Sequence, residues 1–339
     1  MHPNEAFVDR ELTRRSFLGT TTAVLVTAGP ALAQQPPPPQ PGPRVKGPRV
    51  WLDMDQAELD AAYDQSVYAP NLQQIVTRFA TNSEGVRTRL GAPKRHAYGA
   101  TAIEGLDIYT TKRPNAPINI FIHGGAWRTG LAKNYAFAAE LFVHAGAHLV
   151  VPDHVWVQDA GGNLMPLAQQ VRRAFTWVYR NAQSFGGDPN RIYVSGHSSG
   201  AHLAAVLLTT DWPKDFHLPA DIIKGGLCCS GPFDLRPVRL SARSRYVKFT
   251  DDMEQALSPP RHLDKLRAPV IVANGTLETP EFQRQARDFA EAVKAAGKPV
   301  QLLVGEGYNH FEIIETLANP YGLLGRAVLG QMNLPLPQG

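Results

Sequence analysis

Residues 196–200 read Gly196-His197-Ser198-Ser199-Gly200, a Gly-x-Ser-x-Gly pattern. An apolar run, Arg191-Ile192-Tyr193-Val194, precedes it, and a small-residue stretch from Ala201 to Leu208 with helical character follows. A strand that turns this tightly into a helix forces its turn residue into strained backbone angles and pushes that side chain into the open. Ser198 is thereby placed as a hydroxyl at a helix N-terminus, beside backbone N–H groups that favour developing negative charge. The flanking glycines leave room where any Cβ would meet the neighbouring elements. The pattern is short enough to arise by chance, so its context must carry the reading.

Acyl transfer by serine also needs a base, an acid that orients the base, and a pocket for the oxyanion. Among eleven histidines, His310 stands just past the last apolar strand and before a helix, where an imidazole can take the Ser198 proton and return it to a leaving group. Glu278 directly follows the penultimate strand and is the expected orienting acid. Glu281, one turn on, is its rival, although an acid in the first turn of a helix also serves the helix dipole. His123-Gly124-Gly125-Ala126-Trp127 follows the strand ending at Ile122. Its glycines let the backbone aim N–H groups at a carbonyl oxygen. Gly125 and Ala126, with Ser199 behind the nucleophile, are the expected donors, and Gly124 is a possible substitute. His123 is expected to brace this loop, His197 to act as scaffold and His202 to pack inside. Trp127 and Tyr308 are expected to line an apolar substrate pocket, with Trp156 and Phe311 as further candidates; core packing would suit each of them as well.

These groups need elements to hold them. Helices are expected from Asp55 and over Asn71–Leu90, ahead of the first strand and positioned to cover the site's mouth. Strands over 104–110, 118–122, 149–151, 192–195, 222–229, 269–273 and 300–304 then alternate with helices over 166–181, after Ser198, over 280–296, over 311–317 and from about 320. The helix at 166 opens on proline, whose missing N–H costs nothing there. This order predicts an α/β fold with a mostly parallel central sheet and helices on both faces. In such sheets functional groups gather at the carboxyl ends of the strands, and every candidate falls there.

The His-Gly-Gly-x-Trp form at 123–127, Gly-His-Ser-Ser-Gly at 196–200 and the stretch Glu278-Thr279-Pro280-Glu281-Phe282-x-Arg284-Gln285 resemble the α/β-hydrolase superfamily. They look most like its kynurenine formamidase (arylformamidase) and carboxylesterase branch, near the hormone-sensitive-lipase group. Tyr63 and Tyr68-Ala69-Pro70-Asn71 are similar to the same branch, and the likeness spans roughly residues 50–330. It implies the α/β-hydrolase fold and a metal-independent, cofactor-free serine hydrolase with a Ser-His-Glu triad. Members often carry Asp where Glu278 stands. The substrate implied is a small carboxylic ester, with an aryl formamide such as N-formylkynurenine as the alternative. A non-catalytic binding protein on the same fold is the rival from another class.

The chain has 339 residues, with 34 Lys and Arg against 30 Asp and Glu and a net charge of +4. No face gathers the basic residues, which speaks against nucleic acid. Thr13-Arg14-Arg15-Ser16-Phe17-Leu18-Gly19 resembles a twin-arginine export motif. A weakly apolar run from Thr20 to Pro30 follows, then Ala31-Leu32-Ala33, a small-residue cleavage pattern. The run is too short for a permanent membrane anchor. Residues 1–33 are therefore read as an export signal, 34–49 as a Pro-rich linker, and 50–339 as the hydrolase domain with an N-terminal helical cap. This reading implies the twin-arginine export machinery as a partner and a periplasmic or secreted location. The two cysteines, Cys228 and Cys229, are adjacent and are expected to be buried thiols, because a disulfide between neighbours is strained.

Overall fold

The computed structural model describes residues 45–336. The expected export signal at 1–33 and linker residues 34–44 lie outside the described residues. The end of that linker is already tied into the domain. The Gly47 N–H donates to Asp55 Oδ2 at 2.7 Å, and Arg49–Trp51 pairs antiparallel with Met54–Asp55. Proline content marks a linker by composition, but a single carboxylate at Asp55 is enough to capture its last amides. The same Asp55 caps helix α1 (Gln56–Ala62) in a reciprocal capping box with Glu58. Helix α2 (Leu72–Leu90) follows.

Eight strands make the central sheet: β1 (Lys94–Ala97), β2 (Gly105–Tyr109), β3 (Ala116–Ile122), β4 (His148–Pro152), β5 (Gly187–His197), β6 (Ile223–Cys229), β7 (Val270–Leu277) and β8 (Val300–Asn309). Their order is β8-β7-β6-β5-β3-β4-β2-β1. Strands β3 to β8 run parallel, and β1 and β2 complete the edge with antiparallel pairings. This is the predicted mostly parallel sheet. Strand β1 was not foreseen. Its Lys94-Arg95-His96 sequence carries no apolar signal, as suits an edge strand protected by charge.

Alternate residues along each strand feed two cores. Ile118, Ile120 and Ile122 of β3, Val194 of β5, Cys228 of β6 and Val272 of β7 pack on one face with α1 and three further helices, α3 (Met165–Asn181), α4 (Ser199–Leu208) and α5 (Pro280–Ala295). Phe121, Tyr193, Leu227, Cys229 and Ala273 point to the other face, against α2 and the C-terminal α6 (Leu323–Gln331). Both faces are therefore covered. The adjacent cysteines point to opposite faces, buried and free, and burial raises both thiols far above their ordinary range. The helix expected over 311–317 is a 3₁₀ segment at Ile313–Ala318.

Candidate active site

Ser198, Glu278 and His310 each stand one residue beyond the carboxyl end of a strand: β5 ends at His197, β7 at Leu277 and β8 at Asn309. The sheet places these three strand ends along one rim. The Ser198 hydroxyl lies 3.0 Å from His310 Nε2, and His310 Nδ1 lies 2.9 Å from Glu278 Oε2. All three side chains are buried. A continuous hydrogen-bonded line from hydroxyl to carboxylate can move a proton off the oxygen and stabilise the imidazolium that forms.

The elbow is built by close backbone approach. Ser198 has φ +56° and ψ −126°, outside the ordinary regions for a residue with a side chain. A Cβ on Gly200 would come within 2.1 Å of the Ile122 carbonyl oxygen, and one on Gly196 within 2.3 Å of the Gly200 carbonyl oxygen. The Ser198 N–H is held by the Cys229 carbonyl at 2.9 Å, so β6 fixes the turn from the side.

The imidazole is clamped from several directions. His197 Nε2–H donates to the His310 carbonyl at 2.7 Å. Burial, and then the neighbouring His310, hold the His197 ring well below the usual imidazole range, so it serves as a neutral donor. Phe282 and Phe311 meet the His310 ring edge-to-face at 5.1 and 4.9 Å. The second oxygen of Glu278 accepts from the Ser230 hydroxyl at 2.6 Å and from the Gly275 N–H at 2.7 Å. Its remaining oxygen is thus left for the histidine. Glu281 is not part of this line. It accepts from the Tyr63 hydroxyl at 3.1 Å and from two nitrogens of Arg284 at 2.6 and 2.7 Å. The structure therefore separates the two acids that the sequence left in competition.

Gly125 and Ala126 adopt positive φ, +119° and +53°, and both line a cavity of about 370 Å³ together with Ser198 and His310. Their N–H groups and that of Ser199, at the start of α4, donate to no protein acceptor among the described residues. Gly124 stands apart from the cavity. Its missing Cβ leaves room for Ser198, whose own Cβ would lie 3.1 Å away. His123 braces the loop as expected: its Nδ1 meets the Gly124 carbonyl at 2.9 Å, and its ring stacks on His154 at 4.5 Å. His202 is buried, with Nε2 on the Leu257 carbonyl at 2.7 Å.

Two expected pocket residues are elsewhere. Trp127 is fully buried and packs edge-to-face on His202 at 5.4 Å. The left-handed turn through Ala126 and Trp127, φ +62° at the latter, drives the indole into the core instead of the cavity. Tyr308 is 37% exposed and lies outside the lining; its carbonyl oxygen closely approaches Gly275. Of the further candidates, Phe311 lines the cavity, whereas Trp156 donates from Nε1 to the Gly130 carbonyl at 2.9 Å.

The rest of the lining comes from the N-terminal segment, including Tyr63, Gln65, Leu72, Val76 and Phe79. Gln65 also fastens the acid loop, accepting from the Thr279 N–H and donating to its hydroxyl, both at 3.1 Å. Sequence reasoning missed Ser230, Gly275 and Gln65. Only Ser230 left a signal, as the first residue past the apolar strand β6. Among the described residues no group of three or more His, Cys, Asp or Glu is placed to hold a metal ion, and no helix is long and apolar enough to cross a membrane.

Known proteins resemble this chain in sequence and in fold. A family model described as BD-FAE matches residues 106–222. The kynurenine formamidase of Danio rerio is 30% identical over 292 residues, covering 82% of this chain and 97% of that protein. Esterase LipC of Mycobacterium tuberculosis is 26% identical over 236 residues, 60% of this chain and 56% of its own length. Among solved structures, a provisionally assigned thioesterase from Silicibacter sp. TM1040 superposes with a TM-score of 0.69 at 25% identity, over 78% of this chain and 96% of that one.

Proposed function

The chain belongs to the kynurenine formamidase branch of the α/β-hydrolases, and from that premise we propose that it hydrolyses small carboxylic esters through an acyl-enzyme on Ser198. The single observation that carries this reading is the line from Ser198 through His310 to Glu278, opening into the cavity that Gly125 and Ala126 also line. In this mechanism Ser198 Oγ attacks the substrate carbonyl as its proton passes to His310 Nε2. The oxyanion is met by the N–H groups of Gly125, Ala126 and Ser199; one such donor typically supplies about 2.7–4 kcal/mol. Glu278 stabilises the imidazolium, which then protonates the departing alcohol. Water, deprotonated by His310, releases the acid from Ser198 and restores the hydroxyl.

A second reading, hydrolysis of an aryl formamide, draws support from the near full-length match to a kynurenine formamidase. The same groups would serve, with an amine as leaving group. The deciding experiment uses the protein without residues 1–33. A fluorophosphonate probe should label the wild type and not Ser198→Ala, and turnover should vanish in that variant while its melting temperature stays within a few degrees. Wild-type protein left unlabelled would favour a binding protein. Comparing N-formylkynurenine with short p-nitrophenyl esters on the wild type ranks the two reactions. For location we propose export, on the order of charged, apolar and small-residue segments in 1–33. Residues 1–40 fused to a folded reporter should carry it across the inner membrane of a bacterial host, and Arg14→Lys with Arg15→Lys should stop it. Equal export of the two fusions would refute the twin-arginine reading.

A further inference from the structure

Two guanidinium groups at the mouth of the Ser198 cleft have no carboxylate partner among the described residues. Arg128 comes two residues after Ala126 and lines both the cleft and the outer recess, of about 540 Å³, that adjoins it. Its guanidinium lies 4.5 Å above the Tyr246 ring and makes no hydrogen bond or ion pair among the described residues. Arg243 lines the same two spaces. It donates to the Tyr246 hydroxyl at 3.0 Å and to the Tyr63 carbonyl at 3.1 Å, both neutral acceptors. Its Nε is buried with no acceptor among the described residues, and its charge sits 5.6 and 5.7 Å from the centres of the Tyr63 and Trp127 rings. Two carboxylates also line the outer recess, and neither makes an ion pair with Arg128 or Arg243 among the described residues. Asp64 caps its own turn, accepting from the Ser66 N–H and hydroxyl at 3.0 and 2.6 Å, and Asp60 pairs with Arg245 at 3.7 Å.

Aromatic stacking orients a guanidinium but leaves most of its in-plane donors free. A half-buried cation with no carboxylate partner is costly until an anion arrives, and planar carboxylates fit the guanidinium fork. We propose that Arg128 and Arg243 form a carboxylate-binding subsite that selects ester or amide substrates carrying an anionic group. The proposal rests on the hydrolase reading for its substrate class, but not for the binding itself. Tyr246, which stacks on one arginine and bonds to the other, is the positioning residue that holds the pair.

The test compares kcat/KM for 4-nitrophenyl acetate with two singly anionic esters. Mono-4-nitrophenyl succinate carries its carboxylate on the acyl side, and 4-acetoxybenzoate carries it on the leaving group. The wild type should favour one anionic ester over the neutral one, and which of the two it favours tells which side of the scissile bond faces the arginines. In Arg128→Gln and in Arg243→Gln the anionic-to-neutral ratio should fall about tenfold or more, mainly through KM. Arg245→Gln, which removes the same charge from the wall of the outer recess where Arg245 already pairs with Asp60, should leave the ratio within twofold. A ratio unchanged in both variants, or lowered equally by Arg245→Gln, overturns the subsite. Binding supplies a readout that needs no turnover. Calorimetry of mono-4-nitrophenyl succinate with Ser198→Ala should show saturable binding that is weakened at least tenfold in Ser198→Ala/Arg243→Gln. No binding to Ser198→Ala overturns the subsite even if hydrolysis stands. Binding without hydrolysis by the wild type overturns the hydrolase reading and keeps the subsite.

Discussion

At the scale of single residues, Glu278 and Glu281 show how little separates an orienting acid from a structural one. Both follow β7 within a few positions, both are buried, and both accept hydrogen bonds. Glu278 faces the imidazole, with its other oxygen satisfied by Ser230 and Gly275; Glu281 is turned onto Arg284 and Tyr63. The expected outcomes of replacement therefore differ in kind. Glu278→Gln should lower kcat by roughly 10³–10⁴, because an amide can no longer hold the imidazole tautomer or offset its charge. Glu281→Gln should keep kcat within a few-fold while lowering stability by about 2 kcal/mol through weakened charged hydrogen bonds. Arg284 limits the loss because it keeps Asp288 as a second partner. Steady-state kinetics and denaturant titration of the two variants check this, and an interchange of the two effects would reverse the assignment. The chemistry of Ser198 and His310 was legible from residue type and strand-end position. For the acid, the place of Glu278 between strand and helix cap favoured it, but Glu281 stayed open as a rival, since a spacing of three residues does not say which way each side chain turns.

At the scale of elements, the site is a property of strand ends. Strands β5, β7 and β8 stop one residue short of Ser198, Glu278 and His310, so the backbone hydrogen-bond ladder sets where the reacting groups lie. The apolar runs that reveal these strands are short and continuous, as buried parallel strands are. Their true ends were less visible: β8 runs to Asn309 through Gly305-Glu306-Gly307-Tyr308, which carries little apolar signal. The turn at Ser198 depends on the crossing of α4 over β3. Gly200→Ala would push a methyl group into the Ile122 carbonyl, a backbone contact that cannot swing away as a side chain would. This variant should lose about 1–3 kcal/mol of stability, as overpacking typically does, and should lower kcat by displacing Ser198. An unchanged melting temperature and rate would show that the close approach does not matter.

At the scale of the whole molecule, the buried histidines tie stability to pH. Burial pushes His123 and His202 down to about 4. Burial and then the charge of His123 push His154 down to about 3, and His197 lies well below its ordinary value. The unfolded chain, with imidazoles near their ordinary pKa of about 6.5, binds more protons than the folded one below that pH. Stability is thus fully present above about pH 6.5 and falls as the pH drops toward the folded values. The loss is about 1.4 kcal/mol per pH unit for each such group, or about 2 kcal/mol apiece by about pH 5. Several groups together approach the whole stability of a domain. The urea midpoint should therefore fall steeply between pH 7 and 5, and His202→Gln should flatten the slope by about one proton. Equal midpoints at the two pH values would mean that these rings are not buried as neutral groups.

The sequence alone determined the alternation of strands and helices from β2 onward, the mostly parallel sheet, the serine at its turn and the histidine after the last strand. Those features are written in local patterns: apolar periodicity, glycine spacing and the position of polar residues just past apolar runs. Only the tertiary structure decided which glutamate meets the imidazole, that Trp127 turns into the core while Phe311 lines the cleft, and that Gln65, Ser230 and Gly275 support the acid. These outcomes depend on side-chain direction and on contacts between residues far apart in the chain, such as the 214-residue separation of Gln65 and Thr279. Helical spacing from Asp55 and over Asn71–Leu90 announced an N-terminal segment covering the site's mouth, but not which of its side chains, such as Gln65, Leu72 and Phe79, would line the cavity or fasten the acid loop.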